Sequence, residues 1–571
     1  MKTRILSLAL ALCLIISVVF TLASCGKDDA PETTAAITDP ATDPAATDPG
    51  AEEVTTVEET TDKWEVLAPK ITMLSAKDRS LRIECSCKQT AVKGSKNDIY
   101  LKGPDEVIDG ETPLIQVMVY ERNKAANDLL GTSTSFVFWD LDFNEQAPQI
   151  DLVVKGNSSD APDLFVNMLN DLNHEMLNGT FKDVWSIPNS FFDFTTDGWL
   201  WEWMQNLSLS NDRGYILGSN YFIDVFRAMS VMPFNMTMMD ANAAKLAPAI
   251  LDDGDSLGEG ETLTPRFFDL VEMGNWTWDV LGKLCEAIWV DQDGNEQDSI
   301  YDQLGLLTDT YGGDAAAAFV YTSGVTVTTA YIIKDESSDY LNDQWIKYAD
   351  DASGLGLIFD AAQSVFLGAG SLTTAKDRPA NTPENPGLAY HYTKFAASEV
   401  LFIGSLLLAA LENDTIQQMN DLFSVVPCPK VDANLQRYNT IIYNSGDVGA
   451  INVNIGPRRA RALTAYLQYC TENSAEIIDQ FLEIVMKYKV TTYNQGTDRM
   501  LSLIYDSILW GRDYTVEGIN MDPRWHGLMR KNQFTVGSGF IEQQYESYRG
   551  LKQNLLDSVM RKWYTLPKVE N

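Results

Sequence analysis

The chain has 571 residues, 45% of them hydrophobic and 10% aromatic, with 80 acidic side chains against 43 basic ones and a formal net charge of −37 at pH 7. An acidic excess of this size excludes nucleic acid and anionic lipid as partners, since both are held by Lys/Arg patches. It suits a soluble, self-repelling monomer instead.

The first 24 residues read as a secretory signal. Lys2 and Arg4 precede an apolar run from Ile5 to Phe20, and small residues follow at Ala23 and Ser24. A plain transmembrane anchor is the alternative reading of that stretch. Leu22-Ala23-Ser24-Cys25 resembles the bacterial lipobox, which implies acylation of Cys25 and a chain held on the outer face of the cell membrane by its lipid. Residues 25–63 form a tether with three Thr-Asp-Pro repeats, 11 acids and two lysines, too polar to fold by itself. The remaining body is long enough for two or more lobes. Its five cysteines, Cys85, Cys87, Cys285, Cys428 and Cys470, are odd in number and scattered, and they read as buried small hydrophobes rather than as a disulfide framework.

Residues 71–120 read as short strands, with Leu114–Tyr120 (LIQVMVY) one of them and turns at Gly103-Pro104 and Asp109-Gly110. Further strands are expected at 134–139 and 150–154. A Gly/Ser/Asp loop over 156–163 then leads into a helix capped by Asp160, with Leu164, Phe165, Met168, Leu169 and Leu172 on its apolar face. Thr277 caps a helix running to Ile288. Residues 305–327 read as strand, loop and helix, 395–411 as an apolar helix, and 458–489 and 498–510 as helices. No repeat period is present.

Several of these segments, in order, resemble the extracellular solute-binding proteins of family 1, the carbohydrate-type lipoproteins of ABC importers. They are Ser159-Asp160-Ala161-Pro162-Asp163-Leu164, Gly274-Asn275-Trp276-Thr277-Trp278-Asp279, the Asp291–Asp298 loop before Leu304-Gly305-Leu306, and Pro427-Cys428-Pro429-Lys430. Residues 64–145 match the pattern poorly and are expected to hold an insertion. The resemblance implies an α/β protein of the type 2 periplasmic-binding-protein fold, with two α/β lobes joined by a hinge around a central cleft. By the same analogy lobe 1 is 64–222 plus 447–486, and lobe 2 is 223–446 plus 487–571. The implied function is capture of a polar solute, a sugar or oligosaccharide, for ABC permease subunits, without catalysis.

A sugar needs planar hydrogen-bonding groups for its hydroxyls and flat rings for its C–H faces. Candidate polar contacts are Asn157, Ser159, Asp160, Asn167, Asn170 and Asp309, and candidate stacking rings are Trp199, Trp201, Tyr311 and Trp510. Trp276 and Trp278 are expected to pin a helix start. No cofactor is called for. Asp291, Asp293, Asn295 and Asp298 partly resemble a calcium loop but lack its full spacing, and a plain acidic turn is the simpler reading. A lipid-anchored glycoside hydrolase needs two facing carboxylates, and a surface scaffold lipoprotein is the third reading. The three histidines form no zinc motif, and Gly254-Asp255-Ser256-Leu257-Gly258 lacks the strand that a nucleophile elbow requires.

Overall fold

The computed structural model describes residues 63–86, 96–141, 145–158, 160–308, 313–350, 353–373, 388–404, 406–486, 495–508 and 538–566, with Asp513, Thr515, Val516, Ile519 and Trp525 between the last two. The signal, the tether as far as Asp62, Cys25, Cys87, Ser159, Asp309, Tyr311 and Trp510 lie outside them. The chain divides into two units, Met1–Pro69 and Lys70–Asn571. Of the first, only 63–69 is described, as most of helix α1 (Lys63–Thr72). No helix among the described residues is long and apolar enough to cross a membrane.

The second unit is built on two sheets of the same plan. In the first, β1 (Ser80–Ser86) lies between β2 (Ser133–Trp139) and β3 (Leu164–Met168), all parallel, and β12 (Asp447–Ile451) pairs antiparallel with β3. In the second, β5 (Leu304–Thr308) lies between β8 (Ser371–Thr373) and β9 (Val400–Ile403), all parallel. There β4 (Ser230–Asn235) runs antiparallel beside β9, with β10 (Leu406–Leu407) and β11 (Phe423–Val426) paired to β4. Each antiparallel strand is the one that receives the chain from the other sheet. Two crossing segments therefore join the sheets, one leading through helix α6 (Ile223–Arg227) to β4, the other returning through 440–446 to β12. This is the expected architecture of two α/β lobes joined by a hinge.

Several local expectations are overturned. The apolar run Leu114–Tyr120 is the start of a 17-residue helix, α2 (Leu114–Leu130), which buries Ile115, Val119, Arg122, Ala126 and Leu130 every three to four residues. Residues 150–154 belong to helix α3 (Gln146–Gly156), and the expected helix face Leu164–Met168 is strand β3. The helix begins only at α4 (Leu169–Met176), so Asp160 caps nothing. The expected helix over 395–411 is instead the end of a short helix, 388–396, then β9, β10 and a 3₁₀ turn, Leu408–Glu412. Strands β3 and β9 are buried on both faces, so their apolar residues run on without alternation and look helical in sequence. Nor is 64–145 an insertion, because it supplies β1 and β2, two of the four strands of the first sheet, and the helix α2 between them.

Other elements stand as read. Helix α8 (Trp278–Ile288) starts with Thr277 Oγ1 accepting from Val280 N at 3.4 Å, and buries Leu281, Leu284 and Ile288. Trp276 and Trp278 are fully buried and donate to the carbonyls of Pro427 and Pro429 at 2.9 and 2.6 Å, pinning that start to the 427–430 segment. Helix α9 (Gly313–Thr322) follows β5, and the long carboxyl-terminal helical stretch divides into α12 (Pro457–Glu472), α13 (Ala475–Val485) and α14 (Gln495–Asp506). Cys85, Cys285, Cys428 and Cys470 are buried and form no disulfide among the described residues.

Candidate ligand-binding site

The carboxyl ends of β1, β2 and β3 lie at the edge of the first sheet where β12 begins. The carboxyl ends of β5, β8 and β9 lie where β4 begins. Because β12 and β4 begin where the chain arrives from the opposite sheet, these two edges face the junction between the lobes. Ligands of open α/β sheets bind outside the carboxyl ends of the strands.

The floor at this junction is polar. Leu169 N donates to Gly446 O at 2.9 Å and Asn170 N to Asn444 O at 3.0 Å, which fastens the β3–α4 corner to the return crossing. The Asn444 side-chain amide reaches Asn170 Oδ1 at 3.4 Å. Asn170, Tyr443, Asn444 and Ser445 are each half-buried, so amide and hydroxyl groups are presented to solvent in one place. Gly446 is required here: a Cβ on it would lie 2.8 Å from that of Ala228 on the outgoing crossing.

Beneath the floor lies a buried polar layer. Asn167, fully buried on β3, donates to Glu84 Oε2 of β1 at 2.5 Å. Burial pushes the Glu84 carboxyl well above the usual range; the Asn167 bond opposes that and the nearby Asp447 charge adds to it. Asn97 donates to Asp447 Oδ2 at 2.6 Å, and Asp447 N donates to Asp224 Oδ2 at 3.2 Å. Arg227 then bridges Asp224 and Glu412, with Nε 3.0 Å from Glu412 Oε1, and Lys96 also pairs with Glu412. Burial works against the Arg227 charge, but Asp224 and Glu412 outweigh it and hold the guanidinium more firmly protonated than usual. This chain of groups runs from the first sheet through the outgoing crossing to the 3₁₀ turn of the second lobe.

The sequence candidates divide between the two edges of β3. Asn157, the left-handed cap of α3 (φ 45°), and Asp160 are exposed in the turn before β3, at the edge opposite the junction. Asn167 and Asn170 are at the junction, brought there by the carboxyl end of β3 and the first turn of α4 rather than by a helix face. Trp199 and Trp201 lie at the outer edge of the first sheet, where Trp199 bridges Ser219 and Leu217 bridges Gly449. Trp199 is buried and donates to Gln468 Oε1 at 3.0 Å. Trp201 is half-buried, stacked on Phe194 at 5.0 Å and 11° and edge-on to Trp185 at 5.3 Å. Next to it, Glu202 pairs with Arg437 of the second lobe at 3.0 Å.

Residue-by-residue reading of the sequence missed Glu84, Arg227 and the Tyr443–Ser445 floor. A lone acid inside the apolar strand Ile83-Glu84-Cys85 and the Asn-Ser-Gly turn before a strand were the available signals.

The acidic loop is a structured turn at the amino end of β5. Carboxylate oxygens of Asp291, Asp293 and Asp302 lie within 4.8 Å of one another. They accept from main-chain amides: Gly294 and Glu296 to Asp291, Asn295 to Asp293, and Gln292 and Ser299 to Asp302. Asp298 points elsewhere and accepts from Gly370 N at 2.6 Å, while the Asn295 amide donates to Asp293.

No family model and no curated protein matches the sequence. Solved structures do match in shape. The GacH receptor of Streptomyces glaucescens, described free and with acarbose, has 10% identity and a TM-score of 0.43, covering 82% of this chain and 99% of its own. A family 1 extracellular solute-binding protein from Bifidobacterium longum subsp. infantis has 12% identity and a TM-score of 0.46, covering 85% and 99%. The maltodextrin-binding domain MalE of Bdellovibrio bacteriovorus, bound to maltotriose, has 10% identity and a TM-score of 0.41, covering 84% and 100%. With identities this low, the chemistry of the site is read from this chain's own residues.

Proposed function

We propose that this chain is the capture subunit of an ABC importer, holding an uncharged polar solute, a carbohydrate first of all, between its lobes and releasing it unaltered. The observation that carries this reading is the junction itself: two sheets of one plan turn their carboxyl edges to a hinge whose floor is made of Asn170, Tyr443, Asn444 and Ser445. Amides and hydroxyls suit sugar hydroxyls. The cations of the polar layer beneath the floor, Arg227 and Lys96, pair with Asp224 and Glu412, which disfavors an anionic guest. Two lobes closing on a guest give a population shift that a permease can read. The lobes would be 64–222 with 447–486 and 223–446 with 487–571, and lipid on Cys25 would hold them at the outer membrane face. The Asp291 loop acts in this reading as a self-satisfied turn rather than a calcium site, so calcium should leave the melting temperature unchanged.

Calorimetric titration with mono- and oligosaccharides, paired with product analysis of the same mixtures, tests the reading. Saturable binding with the sugar recovered intact is expected. Hydrolysed product would transfer the chain to the glycoside hydrolases, and no binding across the panel would remove carbohydrate as the guest.

A further inference from the structure

The last described helix, α15 (Ser538–Thr565), has 28 residues and is therefore about 42 Å long. Its first two-thirds lie on the second lobe, against helix α10 (Ser353–Phe366) and a two-stranded ribbon, β6 (Thr328–Ile332) with β7 (Gln344–Tyr348). Tyr545 Oη donates to Ala349 O at 2.7 Å, Gln553 Oε1 accepts from Tyr348 N at 2.9 Å, and Trp345 Nε1 donates to Asp557 at 2.9 Å.

The carboxyl end leaves that lobe. Trp563 is fully buried, donates to Ser210 Oγ at 2.8 Å, and meets Tyr215 edge-on at 5.1 Å. Arg213, itself buried, donates to the carbonyls of Trp563 and Leu566 at 3.1 and 3.4 Å, placing a cation at the negative pole of the helix end. This socket belongs to the first lobe: Val184 N donates to Gly214 O at 2.7 Å, and Lys182 N donates to Ile451 O of β12 at 2.8 Å. The next residue faces the other way. Tyr564 stacks on Trp345 of the ribbon at 6.0 Å and 7°, and its hydroxyl donates to Gln344 O at 2.7 Å. Arg213 lies 5.1 Å over the Tyr564 ring, closing the joint.

We propose that α15 is a strap that holds the two lobes at a set spacing, with Trp563 riveted into the first lobe and Tyr564 into the second. A hinge alone would let the lobes swing freely about the crossing segments. A stiff helix fixed along the second lobe and plugged into the first limits that swing, because the first lobe cannot turn away without drawing Trp563 from its socket. Opening is then gated by a joint outside the cleft. Freeing the indole requires a displacement on the order of one helical turn, roughly 5 Å.

The test needs no ligand, so it fails or succeeds independently of the importer reading. Fluorophores are attached through ketone-bearing residues placed at Leu152 in the first lobe and Tyr301 in the second, both exposed, and the distance distribution is read by single-molecule energy transfer in the full chain. Trp563→Ala is expected to broaden the distribution and lengthen its mean by roughly 5 Å with far-UV circular dichroism unchanged. Arg213→Gln, which keeps the indole and removes only the clamp on the helix end, is expected to move it the same way by less. An unchanged distribution in folded Trp563→Ala overturns the proposal. Where Trp563→Ala does not fold, an unchanged distribution in Arg213→Gln overturns it.

Discussion

Replacing Arg227 with Met would take one cation out of a buried layer and leave its acids in place. Arg227, Asp224 and Glu412 have side-chain exposures of 5%, 6% and 12%, and the Arg227–Glu412 contact is 3.0 Å. An exposed ion pair contributes at most about 1 kcal/mol. Breaking a buried pair costs about 3–5 kcal/mol, because a carboxylate is left without compensation. Here Glu412 keeps its pair with Lys96, while Asp224, with Asp447 beyond it, faces the vacated position, so a loss within that range is expected. Urea unfolding followed by tryptophan fluorescence and far-UV circular dichroism measures it, provided the two transitions coincide and the slope is unchanged. Adding Asp224→Asn and Glu412→Gln to Arg227→Met should restore more than half of the loss, as coupled sites require. A loss below about 1 kcal/mol would refute the reasoning, since it would mean that the acids are solvated in the folded protein.

Three further outcomes are expected. Burial raises the Glu84 carboxyl, so the native chain binds that proton more tightly than the unfolded one, and the contribution of this group falls as pH rises above the ordinary carboxylate range; Glu84→Gln should remove the fall, matching wild type in acid and melting higher at neutral pH. Gly305→Ala puts a Cβ 2.2 Å from the Cys285 main chain, with no flexible neighbor to yield, and should cost about 1–3 kcal/mol or more in urea unfolding. Asn444→Ala takes a hydrogen-bonding group from the junction floor and should weaken binding of the captured solute about tenfold by calorimetry, with little change in melting temperature.

Local signals were legible where one short stretch contained the whole reason. The Thr277 cap with its apolar face, the strand–loop–helix over 305–327 and the helices after 457 each satisfy their own pattern. The reading failed where burial is two-sided. Leu164, Phe165, Val166 and Asn167 are all buried, so β3 shows no alternation, and its apolar residues could be counted as a helix face. That error shifted the unit by one element and carried the 156–163 turn to the wrong edge of the sheet. Asn170 reached the junction all the same, because it follows β3 directly in either reading.

The sequence by itself determined the acidic surface, the α/β class and most helix starts, since charge, composition and caps act over a few residues or over none in particular. Only the tertiary structure decided what meets what. Glu84 with Asn167, Arg227 with Glu412, and Trp563 with Ser210 are joined across 83 to 353 residues of chain by strand register and helix docking. Those pairings depend on which surfaces remain to be buried once the two sheets have formed, and no short window of sequence contains that information.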